Sequence, residues 1–140
     1  MPKIIITYLS GSKTTEPVMH EISESTRITF GKSESSTVVL DKDNDCFSTN
    51  HCSILYQENN FYLRDETPRR QKLTFINNDK LDLIQKLYAE DRIRLGRKNS
   101  IEFTVDFDPR PLNSYRDSST LQGDEKKTWI KSVIKFLFFW

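Results

Sequence analysis

DRIRLGRKNSIEFTVDF, residues 91–107, decides the fold class. Residues 91–95 and 101–107 alternate apolar and polar side chains with a period of two, and Gly96-Arg-Lys-Asn between them supplies turn chemistry. Two half-buried strands joined this way predict a β-hairpin. The same pattern runs back through the chain. Residues 51–56 alternate, Glu58-Asn-Asn makes a tight turn, and residues 61–64 answer as the hairpin partner. Residues 3–9 are β-branched and aromatic, and Ser10-Gly-Ser-Lys ends them. Further short strands are expected at 18–22, 27–30, 37–40 and 73–76, with turn-rich Asp41-Lys-Asp-Asn-Asp after the third. Residues 81–88 read as a helical turn, with Leu81, Ile84 and Leu87 at helical spacing, or as loop plus short strand; the second reading is preferred. Short strands at this spacing predict an all-β, two-sheet β-sandwich over residues 1–108.

Bulk properties narrow the function. At 140 residues the chain suits one domain plus a tail, and 36% hydrophobic residues allow a modest core. The net charge of +1 gives no overall field that would draw nucleic acid, so no nucleic-acid partner is expected. Cys46 and Cys52 make no disulfide framework and suit a reducing, cytoplasmic setting. The opening Met1-Pro-Lys-Ile is too soon polar for a signal peptide, and no apolar run approaches the roughly 18–20 residues of a membrane-spanning helix.

Composition changes at Asp108. Residues 109–124, opening on Pro109-Arg-Pro, read as a polar, flexible linker. Residues 125–140 read as a short amphipathic helix in which Trp129, Phe136, Phe138, Phe139 and Trp140 accompany Lys131 and Lys135. From Trp129 onward such a helix is about 20 Å long at about 1.5 Å per residue, short of a bilayer core. Three readings stay open: a helix in the membrane interface through residues 128–140, a tail docked on a partner or on its own domain, or the start of a longer membrane helix.

The loops between the strands carry motifs in a fixed order. Ile28-Thr-Phe-Gly31-Lys32 ends a strand on glycine and a cation; Phe47-Ser48-Thr49-Asn50-His51 leads into the next. Phe61-Tyr-Leu-Arg-Asp65 ends a strand on aspartate, Thr74-Phe-Ile-Asn77 follows a basic loop, and Ala89-Glu-Asp-Arg-Ile-Arg-Leu-Gly96 comes late. From Lys3 to Phe107 this order resembles the forkhead-associated domain family. The resemblance implies a twisted β-sandwich whose loops at one end hold a phosphothreonine peptide. It implies binding roles for Lys32, Ser48, Thr49, Arg69, Arg70, Lys72 and Asn77, and structural roles for Gly31, His51, Asp65 and Gly96.

The chain departs from the family pattern at several points. Lys32 stands where the family has arginine, keeping the charge and losing the two-pronged fork. Thr49 replaces another arginine. Lys72-Leu73 replaces an Asn-Gly pair, removing an amide and placing leucine where glycine's tolerance of positive φ would help a turn. The cations Arg69, Arg70 and Lys72 are candidates to meet a phosphate in place of the missing arginine, since phosphate offers charge and strong acceptors. The implied partner is a protein, either phosphothreonine-containing or bound without phosphate by a scaffold domain of a membrane-associated assembly. Cys46-x4-His51-Cys52 lacks a second ligand pair for zinc. Ser48 and His51 lie at a strand corner without an oxyanion glycine motif, so neither a metal, a cofactor nor an enzyme is expected.

Overall fold

In the computed structural model, described for residues 1–11, 16–68, 73–97, 100–112 and 114–115, eleven strands build two sheets. Arg69, Arg70, Lys72 and the whole tail 125–140 lie outside the described residues. One sheet runs in the order β2 (Val18–Glu21), β1 (Lys3–Ser10), β11 (Ile101–Asp108), β10 (Arg92–Leu95), β7 (Thr74–Ile76), β8 (Asp79–Lys80). The other runs β4 (Val38–Val39), β3 (Ile28–Gly31), β5 (Cys52–Gln57), β6 (Asn60–Asp65), β9 (Ile84–Leu87). Every pairing is antiparallel except β3 with β4.

The alternation explains the packing. Along β11, Ile101, Phe103, Val105 and Phe107 are buried while the residues between them are less so, which puts one face of the strand in the core. Phe103 stacks on Phe30 of β3 with ring centroids 5.2 Å apart, and Phe107 stacks on Phe61 of β6 at 4.2 Å. These two aromatic pairs tie the sheets together, and Tyr8 of β1 adds an edge-on contact to Phe103.

Two tight turns carry the hairpins. Glu58 and Asn59 both have positive φ and join Gln57 to Asn60, the geometry of a two-residue hairpin loop. Asn77 and Asn78 do the same between β7 and β8, a hairpin not expected from the sequence. Residues 84–87 are a strand, so the helical-turn alternative for 81–88 is set aside. Arg110, Ser114 and Tyr115, expected to belong to the flexible linker, make contacts with the sandwich or with one another. The Ala89 amide donates to the carbonyl of buried Ser114, and Ala89 bridges Tyr115 in parallel. Arg110 pairs with Asp106 at 2.7 Å and lies over the Tyr115 ring. Ser114 and Tyr115 thus contact the strand region at Ala89.

Phe103 is fully buried between Phe30 and Tyr8, so Phe103→Ala is expected to cost about 3–5 kcal/mol of unfolding free energy. Urea denaturation checks it; a loss under about 1 kcal/mol would mean the two sheets do not depend on this ring.

Candidate functional site

Five chain segments meet at one end of the sandwich. β3 leaves it at Gly31-Lys32, β5 enters after Ser48–His51, β6 leaves at Asp65, β7 enters after Leu73, and β10 leaves at Gly96. The β3–β5 pairing continues into the loops. His51 donates its amide to Phe30 at 2.8 Å, Lys32 donates to Ser48 at 3.0 Å, and Ser33 donates to Thr49 at 3.2 Å. Gly31 permits this close approach, because a Cβ there would lie 2.0 Å from the Thr49 carbonyl oxygen. Lys32 and Ser48 are thus fixed side by side on neighbouring loops.

His51 locks the corner from beneath. Its ring is wholly buried and sits edge-on to Phe47, with centroids 5.9 Å apart. The Ser48 amide points at Nδ1 at 3.2 Å. An amide can only donate, so Nδ1 accepts, and the ring proton sits on Nε2, which donates to the Leu73 carbonyl at 3.0 Å. Burial pushes the His51 imidazole below its ordinary pKa, with the Leu73 carbonyl and the Asp65 carboxylate pulling the other way. The neutral ring is the form both hydrogen bonds require.

The Leu73 carbonyl also accepts the Gly96 amide at 2.8 Å, where Gly96 takes φ +87°. Asp65 closes the remaining loop. One carboxylate oxygen accepts from the Thr67 amide at 3.1 Å, the Thr67 hydroxyl at 2.7 Å and the Thr74 hydroxyl at 2.9 Å. It thereby pins both ends of the stretch that contains the three expected loop cations.

The expected site residues divide. Lys32, Ser48 and Thr49 come together, with Lys32 and Ser48 half-buried and Thr49 exposed. Their side chains have no hydrogen bond or ion pair among the described residues. Gly31, His51, Asp65 and Gly96 build the frame beneath them. Asn77 is placed elsewhere, on the β7–β8 turn, where its side-chain amide donates to Asp91 at 3.0 Å and its oxygen accepts the Arg92 amide at 3.0 Å. Arg97 was not anticipated; it follows Gly96 and lines a groove beside Leu73. The position alone, next to the hairpin glycine, was the signal in the sequence.

The arrangement bears on the chemical alternatives. His51 Nδ1 meets the amide of Ser48 rather than its hydroxyl, and both ring nitrogens are engaged. Both cysteines are free, and burial pushes the Cys52 thiol well above its ordinary value. No group of three metal-ligating side chains occurs among the described residues, and no helix there is long and apolar enough to cross a membrane.

Comparison with known proteins agrees with this architecture. The family model described as the FHA domain matches residues 28–96. No curated protein matches significantly in sequence. Among solved structures, the FHA domain of an Arabidopsis thaliana hypothetical protein superposes with a TM-score of 0.63 at 19% identity, covering 76% of this chain and 86% of that one. The N-terminal FHA domain of Rad53p from S. cerevisiae, in complex with a phosphothreonine peptide, gives 0.60 at 18% identity, covering 73% and 90%. The FHA domain of the CT664 protein from Chlamydia trachomatis gives 0.58 at 14%, covering 74% and 95%. At these identities the likeness is one of fold.

His51 makes stability depend on pH. Because its pKa is lowered by folding, the unfolded chain takes up the proton more readily. The stabilisation is complete above the ordinary imidazole value near 6.5 and is lost as pH falls below it. His20, also pushed down by burial, contributes in the same sense, so the comparison is between wild type and variant. Denaturation at about pH 7.5 and about pH 5 is expected to show a shallower pH dependence in His51→Gln. His51→Ala is expected to lose about 2–4 kcal/mol at neutral pH. An unchanged pH slope would remove His51 as the titrating brace.

Proposed function

We propose, on the premise that this chain carries an FHA domain over residues 28–96, that its loop end binds a phosphothreonine-containing protein. One observation carries the reading. The Lys32 amide bonds to the Ser48 carbonyl, so a cation and a hydroxyl stand together at the loop end, neither with a side-chain partner among the described residues. A phosphate dianion is matched by such a pair, because its oxygens accept from both and its charge is met by the ammonium. Arg69, Arg70 and Lys72 belong by sequence to the loop whose ends Asp65 pins, and in this reading they add positive charge for the phosphate. The module acts by recognition and needs no bond-making step. In the same reading the apolar tail 125–140 attaches it to a larger assembly, and the two free cysteines suit a reducing compartment such as the cytoplasm.

The experiment is binding of the full chain to a degenerate phosphothreonine peptide library beside its unphosphorylated twin. Selective capture is expected, and Ser48→Ala or Lys32→Ala is expected to weaken it roughly ten- to a hundredfold, the worth of one hydrogen bond to a charged group. Lys32→Arg is expected to tighten binding by restoring the fork. Equal capture of the two libraries would leave a phosphate-independent scaffold domain as the function.

A further inference from the structure

The two sheets treat their outward faces differently. On β11 the outward residues Glu102, Thr104 and Asp106 are polar and half-buried, as an open antiparallel face should be. In the other sheet Ile54 and Leu63 point into the core. Alternation therefore turns the neighbouring pairs outward: Leu55 with Tyr62, Lys86 beside Tyr62, and Ile84 with Arg64. Yet Leu55, Tyr62 and Ile84 are only 8%, 6% and 2% exposed. None of the three belongs to the core cluster between the sheets.

Two titratable groups on this face report the same dryness. Burial lowers the Lys86 pKa and raises that of Tyr62, and the Lys86 ammonium lies 5.0 Å from the Tyr88 ring centre. Among the described residues no third layer lies over this face, since every strand belongs to one of the two sheets. An apolar sheet face buried to this depth has a cover.

The chain itself supplies one at the right place. Ala89, just beyond the edge strand β9, bridges Tyr115, so residues 116–140 set out from the border of this face. Residues 116–128 can span about 40 Å when extended, against about 19 Å across the five strands. Beyond them come Trp129, Ile130, Val133, Ile134, Leu137 and Trp140, apolar groups of the kind this face buries.

We propose that the outward face of the β5–β6–β9 layer is the docking site of the chain's own tail, residues 125–140, in the free protein. Leu55, Tyr62 and Ile84 form its apolar floor. The proposal does not depend on the phosphothreonine reading, because these residues lie along the strands and not at the loop end. An assembly that takes up the tail competes with this face for it.

The test uses the full chain, whose two tryptophans, Trp129 and Trp140, both lie in the tail and report on it alone. In dilute protein their emission is expected to be blue-shifted and protected from acrylamide. Leu55→Glu sets a carboxylate in the floor and is expected to raise the quenching constant roughly threefold, with far-UV circular dichroism unchanged. Water-exposed tryptophans in the wild type, or a folded Leu55→Glu chain with unchanged quenching, would overturn the proposal. Protection that appears only as protein concentration rises would overturn it in favour of a tail seated on a second copy. Protection that needs added anionic vesicles would overturn it in favour of a membrane surface. Should Leu55→Glu fail to fold, Ile134→Asp with Leu137→Asp tests the same contact from the tail. That variant is expected to bind more of the dye ANS as the face loses its cover, and unchanged dye binding would overturn the proposal.

Discussion

Two backbone groups from separate loops, the Ser48 amide and the Leu73 carbonyl, end on the two nitrogens of one buried imidazole. A donor on one side and an acceptor on the other demand a neutral ring with its proton on Nε2, and burial supplies the condition that keeps it neutral. The loop end inherits its shape from this constraint. Ser48 is held over the core, Lys32 is held by Ser48, and Leu73 also receives Gly96. The loops meeting at this end are therefore referred to one internal post as well as bonded directly to each other.

The aromatic pairs set where that post stands. Phe30 lies next to Gly31-Lys32 in the chain and stacks on Phe103, so the packing of the two sheets fixes the register of β3. A slip of one residue along β3 would turn Phe30 outward and carry Lys32 to the opposite face, which the buried stack forbids. At the far end the Phe61–Phe107 stack does the same for β6, whose other end delivers Asp65 to the loop. Core packing and site geometry are thus two readings of the same registers.

The strand at 101–107 was legible because one face is buried and the other is less so, whereas at 51–56 the residue types alternate although residues 51–55 are all buried. β9 was harder, since Ile84 and Leu87 are three apart and suit a helix as well as a strand whose middle is half-buried. The Asn77-Asn78 turn carried a recognisable positive-φ pair, yet family resemblance drew Asn77 toward the ligand, while its side chain serves Asp91 and Arg92. Ser114 could not be found from sequence. It is buried and its carbonyl accepts the Ala89 amide, a backbone contact that leaves no pattern in residue type.

The departures from the family pattern fall where the fold uses only the backbone. Thr49 contributes its carbonyl, which accepts the Ser33 amide and packs on Gly31, so loss of an arginine side chain there leaves the frame unchanged. Leu73 likewise contributes its carbonyl to His51 and Gly96. The positions whose side chains the frame consumes, His51, Asp65 and the Cβ-free Gly31, all keep the family's residue. Side chains at Lys32, Ser48 and Thr49 have no hydrogen bond or ion pair within the frame, which is why ligand preference can shift at this end without a cost in folding. Under the proposed phosphothreonine reading, a lysine in place of arginine would hold a phosphate through one compact charge in place of a fork.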